Sequence, residues 1–326
     1  MNFNMFFKYF ININLLTFNL MPLWFYNLLF IWLMMEISNF FYICLMNFHM
    51  NNKKMIFFYF MIQMLASMLL IFSIILNNTI FNNYILNLIL IISMMIKISI
   101  PPFHLWLPII SKSLTWSLLI ILLTIQKIIP FYILSMVHIN MFIFISIMTL
   151  CSILPPMSMM NLTNFKMLLS YSSINQSGWM IFLIKNKMLI WLSYFLFYSL
   201  ILMSLIFLIY TFKITFNSNN IYDNKNFNMM FIFFMFSMAG LPPFSFFFMK
   251  WYSIFLFINS MNMITIMIML MLSSLIMLYI YTNMMISSFF LFKIKSKMMM
   301  NEKNFINYFS LMIYSSLMFS LIILII

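Results

Sequence analysis

Apolar runs of membrane-spanning length follow one another along nearly the whole chain, separated by short polar clusters. The runs predict helices near 3–20, 23–46, 55–77, 84–110, 114–136, 139–154, 165–184, 188–212, 228–257, 261–288 and 306–326. A helix that crosses a bilayer needs about 20 apolar residues. The pattern therefore predicts an all-α, polytopic membrane protein of about 11 transmembrane helices. The separators are rich in Asn and Lys: 49–54, 77–83, 185–187, 217–226 and 293–303. None is long enough to hold a soluble domain, so residues 1–326 read as a single transmembrane domain.

Two of the runs contain proline pairs. Pro101-Pro102 interrupts 84–110 and Pro242-Pro243 interrupts 228–257, each followed by Phe. Proline has no N–H to donate and clashes with the carbonyl four residues back. Pro101 therefore leaves the Lys97 carbonyl without its helical donor, and the second pair does the same for Met238 and Ala239. Such backbone is tolerated at membrane depth where it is buried in protein or faces water. Matching breaks in the two halves predict two inverted repeats, over 1–137 and 138–290, each with one proline-broken helix; 306–326 is then a terminal helix. Lys97 and Lys250 read as counterparts across that repeat.

Composition agrees with the pattern and narrows the setting. The chain is 66% hydrophobic and 6% charged, against about 25% charged in soluble domains. Its net charge of +13 is not a nucleic-acid signal, because no basic patch sits on a soluble fold. The lysines instead report topology. Eleven fall at the N-terminal side or in loops after even-numbered spans, against two (Lys185 and Lys187) on the other side. Under the positive-inside rule this puts the N-terminus in the positively biased compartment and the C-terminus opposite. There is no Arg, one Val, two Ala and two Gly, yet 41 Met. Codon bias toward A and T, with AUA read as Met, accounts for this and points to an animal mitochondrial gene. The same bias explains the methionines better than soft-metal binding does. The N-terminal stretch is not an Arg-rich amphipathic presequence. Cys44 and Cys151 fall in predicted spans, and no disulfide is expected.

The remaining three lysines lie inside apolar runs: Lys97, Lys127 and Lys250. A charge at the bilayer centre costs roughly 2.5–3.5 kcal/mol on insertion scales, and such residues commonly mark ion or proton pathways. Glu36 is a carboxylate in mid-span. Buried alone, an acid or an amine favours its neutral form; buried together, each holds the other charged. Glu36 beside Lys97 is thus either a static ion pair or a switch that releases a proton when it opens. Lys127 lies near a span end and either snorkels to the interface or relays protons. His104 follows the first break and either relays protons or bonds a freed carbonyl. Lys166, Ser170, Ser173 and Ser177 recur at helical spacing, which suits close helix packing or a hydrated path. Cofactor motifs are lacking: there is no dinucleotide fingerprint, phosphate loop or cysteine cluster.

Several strings resemble a known family. They are Trp32-x-x-x-Glu36, Lys97-Ile98-Ser99-Ile100-Pro101-Pro102-Phe103-His104-Leu105-Trp106-Leu107-Pro108, Gln126-Lys127-x-x-Pro130, Tyr171-Ser172-Ser173-Ile174 with Gly178-Trp179, and Gly240-Leu241-Pro242-Pro243 with Lys250-Trp251. In order and spacing they resemble the antiporter-like, proton-translocating membrane subunits of respiratory complex I (mitochondrial NADH–ubiquinone oxidoreductase). The last string resembles the subunit 2 group.

The resemblance implies a core inner-membrane subunit that moves protons while NADH is oxidised and ubiquinone reduced. It implies that Glu36, Lys97, Lys127 and Lys250 lie on one charged intramembrane chain. It implies partners among the other complex I membrane subunits and inner-membrane lipids, and none among nucleic acids. No cofactor is expected in this chain, NADH, flavin, iron–sulfur clusters and ubiquinone belonging to partner subunits. In a mitochondrial protein, the eleven-to-two lysine split puts the N-terminus in the matrix and the C-terminus in the intermembrane space. Ser99 and Phe246 stand where the family has glycine, and Lys166 where it has Arg. The rival readings are a stand-alone cation/proton antiporter and a structural assembly scaffold.

Overall fold

The computed structural model describes residues 2–76, 83–185, 190–211, 225–242, 244–257 and 264–293. The described residues form thirteen α-helices, one 3-10 helix (Met21–Trp24) and no strand. In chain order the first seven are α1 (Asn2–Leu20), α2 (Leu28–His49), α3 (Lys53–Leu76), α4 (Asn83–Ile98), α5 (Trp106–Ser113), α6 (Trp116–Leu123) and α7 (Ile125–Met136). The next six are α8 (Met141–Met159), α9 (Phe165–Ile184), α10 (Ile190–Thr211), α11 (Lys225–Ala239), α12 (Ser245–Phe257) and α13 (Ile264–Lys293). Among the described residues, six segments are long and apolar enough to cross a membrane. The expected terminal helix 306–326 lies outside the described residues.

Local chemistry accounts for most boundaries. The side chains of Asn27 and Asn164 cap α2 and α9 by accepting from Leu29 N and Lys166 N, both at 3.2 Å. The expected span 114–136 is two helices, α6 and α7, separated at Thr124 (φ −116°, ψ −82°). There the Thr124 amide and hydroxyl both reach the Ile120 carbonyl, at 3.0 and 2.7 Å. The expected stop at residue 154 is wrong. Helix α8 runs through Pro155 and Pro156 to Met159, with both rings buried. It packs against α9 and α13, and that tertiary packing offsets the backbone bonds lost near its end.

The two proline breaks share one backbone design. At the end of α4, Ser99 N bonds the Ile96 carbonyl (3.3 Å) and Ile100 N bonds that of Met95 (2.9 Å). At the end of α11, Gly240 N bonds the Ser237 carbonyl (3.1 Å) and Leu241 N bonds that of Phe236 (3.3 Å). Each is the paired-bond cap that requires a left-handed residue just past the helix. Ser99 has φ 68° and Gly240 φ 76°. Proline follows two residues after each, where it blocks any continuation. The superposed caps correct one expectation. Lys97 aligns with Met238, whereas Lys250 lies ten residues beyond Gly240, on the helix after the break. The two lysines are not positional counterparts.

A serine in the left-handed region is strained by about 1–2 kcal/mol relative to its usual conformations. Glycine removes that strain but has more unfolded-state freedom to lose. Ser99→Gly is therefore expected to raise stability by up to about 1 kcal/mol, read as a higher melting temperature of the assembled subunit.

Helix α9 is the centre of the bundle. It is buried without interruption from Leu168 to Ile184, although its sequence is among the most polar of the helices. Helices α5, α8, α10 and α13 surround it. Lys166 at its start bonds the Leu114 carbonyl at the end of α5 and lies 5.1 Å from the Trp116 ring centroid. Lys185 just past its other end bonds the Ile139 carbonyl at 2.6 Å.

Candidate functional site

The carboxylate of Glu36 on α2 meets the amine of Lys97 on α4. Glu36 Oε1 and Lys97 Nζ are 2.8 Å apart, and the side chains are 22% and 2% exposed. Among the described residues, Glu36 is the single carboxylate. Lys97 sits in the last turn of α4, beside the break. There Trp106, from the far side of the break, donates its indole N–H to the Ile96 carbonyl at 3.0 Å. The break is thus cross-braced next to the ion pair.

Lys127 does not snorkel. It lies in the first turn of α7, is 4% exposed, and donates to Ser173 Oγ on α9 at 3.2 Å. The interruption at Thr124 starts α7 inside the protein rather than at an interface, so the lysine points inward. Lys97 and Lys127 line the same cavity of about 10 Å³, together with Asn39, Tyr59, Gln63 and Gln126. A water needs roughly 10–15 Å³ of such space and two to four polar partners. Gln126 also bonds the Ser38 carbonyl at 3.3 Å, tying α7 to α2. Among the described residues, Asn39 Nδ2 is buried without a hydrogen-bond partner. A single water between the two lysines fits both the volume and that donor.

Lys250 has a different seat. Its Nζ lies 3.4 Å from the Ala239 carbonyl, the last residue of α11. It also lies 5.2 Å from the Phe246 ring centroid and 5.9 Å from that of Trp179, within cation–π range. Its chain crosses Gly240, where an added Cβ would come within 3.1 Å of Nζ. Phe246, bulky where glycine was expected, is completely buried and supplies the ring under the ammonium. The substitution therefore builds the lysine's seat rather than opening the break.

Three buried amines thus have three kinds of partner: a carboxylate, a hydroxyl, and a carbonyl with two ring faces. Only the first carries a full counter-charge. The hydroxyl can either accept from an ammonium or donate to an amine, so it serves both protonation states. His104 lies apart from the cavity lining. Its Nδ1 is 3.3 Å from the Pro102 carbonyl and its ring stands edge-on to Tyr171, with centroids 6.3 Å apart. Of the polar stripe on α9, Ser170, Ser173 and Ser177 each bond a carbonyl one turn back. Ser173 alone of these three also receives a lysine.

Sequence reasoning missed Asn39, Tyr59 and Gln63. A signal existed for Asn39, which follows Glu36 by three residues and so shares its helix face. Gln63, a lone amide in the apolar run of α3, carried the general mark of a functional intramembrane residue.

A helical membrane bundle with two capped breaks and buried amines along its interior defines a class: polytopic proteins that handle charge within the bilayer. The chain belongs to the NADH:quinone oxidoreductase/Mrp antiporter transmembrane family, whose sequence profile matches residues 26–276. It is 34% identical over 236 residues to NADH-ubiquinone oxidoreductase chain 2 of Anopheles gambiae, covering 68% of this chain and 68% of that protein. It is 38% identical over 244 residues to NADH-ubiquinone oxidoreductase chain 2 of Rhipicephalus sanguineus, covering 73% and 76%. Its fold is shared by a chain of respiratory complex I from Thermus thermophilus with bound aureothin. That match has TM-score 0.73 and 15% identity, covering 93% of this chain and 74% of that one.

Proposed function

We infer that this chain is a membrane subunit of complex I and takes part in proton translocation across the mitochondrial inner membrane, coupled to electron transfer from NADH to ubiquinone. The observation that carries the reading is the buried series Glu36–Lys97, the water-sized cavity, and Lys127–Ser173. In the closed pair, Glu36 holds Lys97 protonated. Movement of Glu36 away removes the counter-charge, and Lys97 gives a proton through the cavity toward Lys127. Lys250, beyond the second break, exchanges protons with the far half of the bundle.

The finer assignments belong to the same reading. The chain has about 11 transmembrane helices in two inverted repeats, supported by the matching caps at Ser99 and Gly240. The N-terminus faces the matrix and the C-terminus the intermembrane space, supported by the eleven-to-two split of lysines. NADH, flavin, iron–sulfur and ubiquinone chemistry belongs to partner subunits, and this chain holds no redox site. Its partners are other complex I membrane subunits and inner-membrane lipids, not nucleic acid.

Lys127→Met keeps length and apolar bulk while deleting the titrating group. In assembled complex I reconstituted into vesicles, it is expected to slow coupled proton pumping about 100-fold, the lower end of what a positioned proton-transfer group contributes. Wild-type pumping with intact assembly would overturn the reading. Loss of assembly in this variant and also in Lys97→Met and Lys250→Met would favour a scaffold.

A further inference from the structure

A second and much larger cavity, of about 770 Å³, lies at the end of the bundle where α2, α4 and α10 begin and α3 and α7 stop. It is separate from the lysines and plays no part in the relay. The segment after the 3-10 helix closes one side, pinned by Tyr132 on α7, which donates to the Phe25 carbonyl at 3.2 Å. Leu90, on the cavity wall, is seven residues past the start of α4, so the cavity reaches about 10 Å inward. The hydrocarbon core of a bilayer is about 30 Å thick, so this depth lies within one leaflet.

The lining changes character from rim to wall. Tyr26 and His138, both exposed and both in connections between helices, stand at the rim. Trp24 and Tyr26 are 81% and 86% exposed, and exposed Trp and Tyr mark the level where membrane meets water. Leu86, Leu90 and Trp191 are buried along the wall, with Ile74 and Leu192 beside them. The wall serines add little polarity, because Ser73 and Ser135 donate to the Leu70 and Tyr132 carbonyls of their own helices, at 2.7 and 2.6 Å. Water fills such a space poorly, since each molecule needs two to four polar partners. Hydrocarbon suits the wall, and a headgroup suits the hydrogen-bonding rim. Among the described lining residues there is no lysine and no carboxylate. Lys185 stands near the rim but outside the lining, bonded to the Ile139 carbonyl at 2.6 Å. Anionic lipids are selected by clusters of basic residues, and this rim offers neutral groups instead.

We propose that this cavity binds one phospholipid with a zwitterionic headgroup. One acyl chain enters between α4, α7 and α10, and Tyr26 and His138 hydrogen-bond the headgroup at the rim. The site requires a membrane subunit of complex I and is independent of the relay, so pumping is not its readout.

The test is photolabelling of complex I in vesicles containing a trace of phosphatidylcholine with a diazirine on one acyl chain, followed by peptide mapping. Label at Leu90 and Trp191 is expected to exceed that at Phe72 and Ile75 about 10-fold, which corresponds to about 1.4 kcal/mol of preference over bulk lipid. Phe72 and Ile75 are exposed residues of α3 at the same end, outside the lining. Leu192→Trp, which fills the cavity from α10, is expected to assemble and to bring the label at Leu90 down to that of Phe72. No enrichment over Phe72 and Ile75 overturns the site and leaves ordinary bilayer contact. Enrichment that Leu192→Trp does not lower overturns the placement. Equal labelling by a phosphatidylglycerol probe overturns the choice of headgroup. Should Leu192→Trp not assemble, a high-resolution map of the unaltered complex decides: acyl density between α4 and α10 supports the site, and a segment of a neighbouring subunit there overturns it.

Discussion

Glu36→Ala is expected to destabilise the subunit by about 3–5 kcal/mol and to abolish coupled pumping. Removing one member of a buried ion pair leaves the other charge uncompensated, and this is the usual size of the penalty. Lys97 is 2% exposed at its side chain and bonded to Glu36 at 2.8 Å. Among the described residues no other carboxylate is present to replace it. Subunit retention in the complex and a thermal melt measure the first effect, and proton uptake by vesicles the second. The double variant Glu36→Gln with Lys97→Met separates them. It removes both charges together, so most of the lost stability is expected to return while pumping stays absent. If the single variant assembles, melts and pumps like wild type, the pair is neither structural nor functional.

The second large effect is expected at Gly240. Gly240→Val puts a β-branched residue at φ 76°, where such side chains are outliers. It also drives a Cβ to 3.1 Å from Lys250 Nζ and to 3.4 Å from Cδ and Cε. The backbone strain is about 1–2 kcal/mol, and overpacking adds about 1–3 kcal/mol. The flexible end of Lys250 is the part able to yield, so it leaves the Ala239 carbonyl and the Phe246 face. Pumping is expected to fall further than stability. Gly240→Ala, with the same clash but a smaller side chain, should show the same order of effects in milder form. A Gly240→Val variant that pumps normally would mean that Lys250 works equally well from another position.

The contrast between the two breaks shows how far local rules reach. Both caps follow from where the prolines stand and which residue precedes them. Gly240 suits its left-handed position; Ser99 occupies the equivalent one under strain, where the family resemblance had led one to expect glycine. Pro155 and Pro156 obey the same local rule and yet do not end α8, because packing on α9 and α13 holds the helix together. Thr124 shows the converse. No glycine or proline marks it, yet its own hydroxyl competes for the Ile120 carbonyl, and the helix divides there.

The sequence by itself determined the membrane class, most helix limits, the positions of both proline breaks, and the presence of three lysines and a carboxylate in apolar surroundings. Hydropathy and backbone donor supply act along the chain, residue by residue, and can be read that way. Only the tertiary structure decided partners. Glu36 meets Lys97 across 61 residues, Lys127 turns inward to Ser173, and Lys250 sits on Phe246 rather than opposite an acid. It also decided that α9, one of the more polar helices, lies at the centre. These outcomes depend on which helix faces meet. In a chain that is apolar nearly everywhere, periodic hydrophobicity no longer distinguishes an inner face from an outer one.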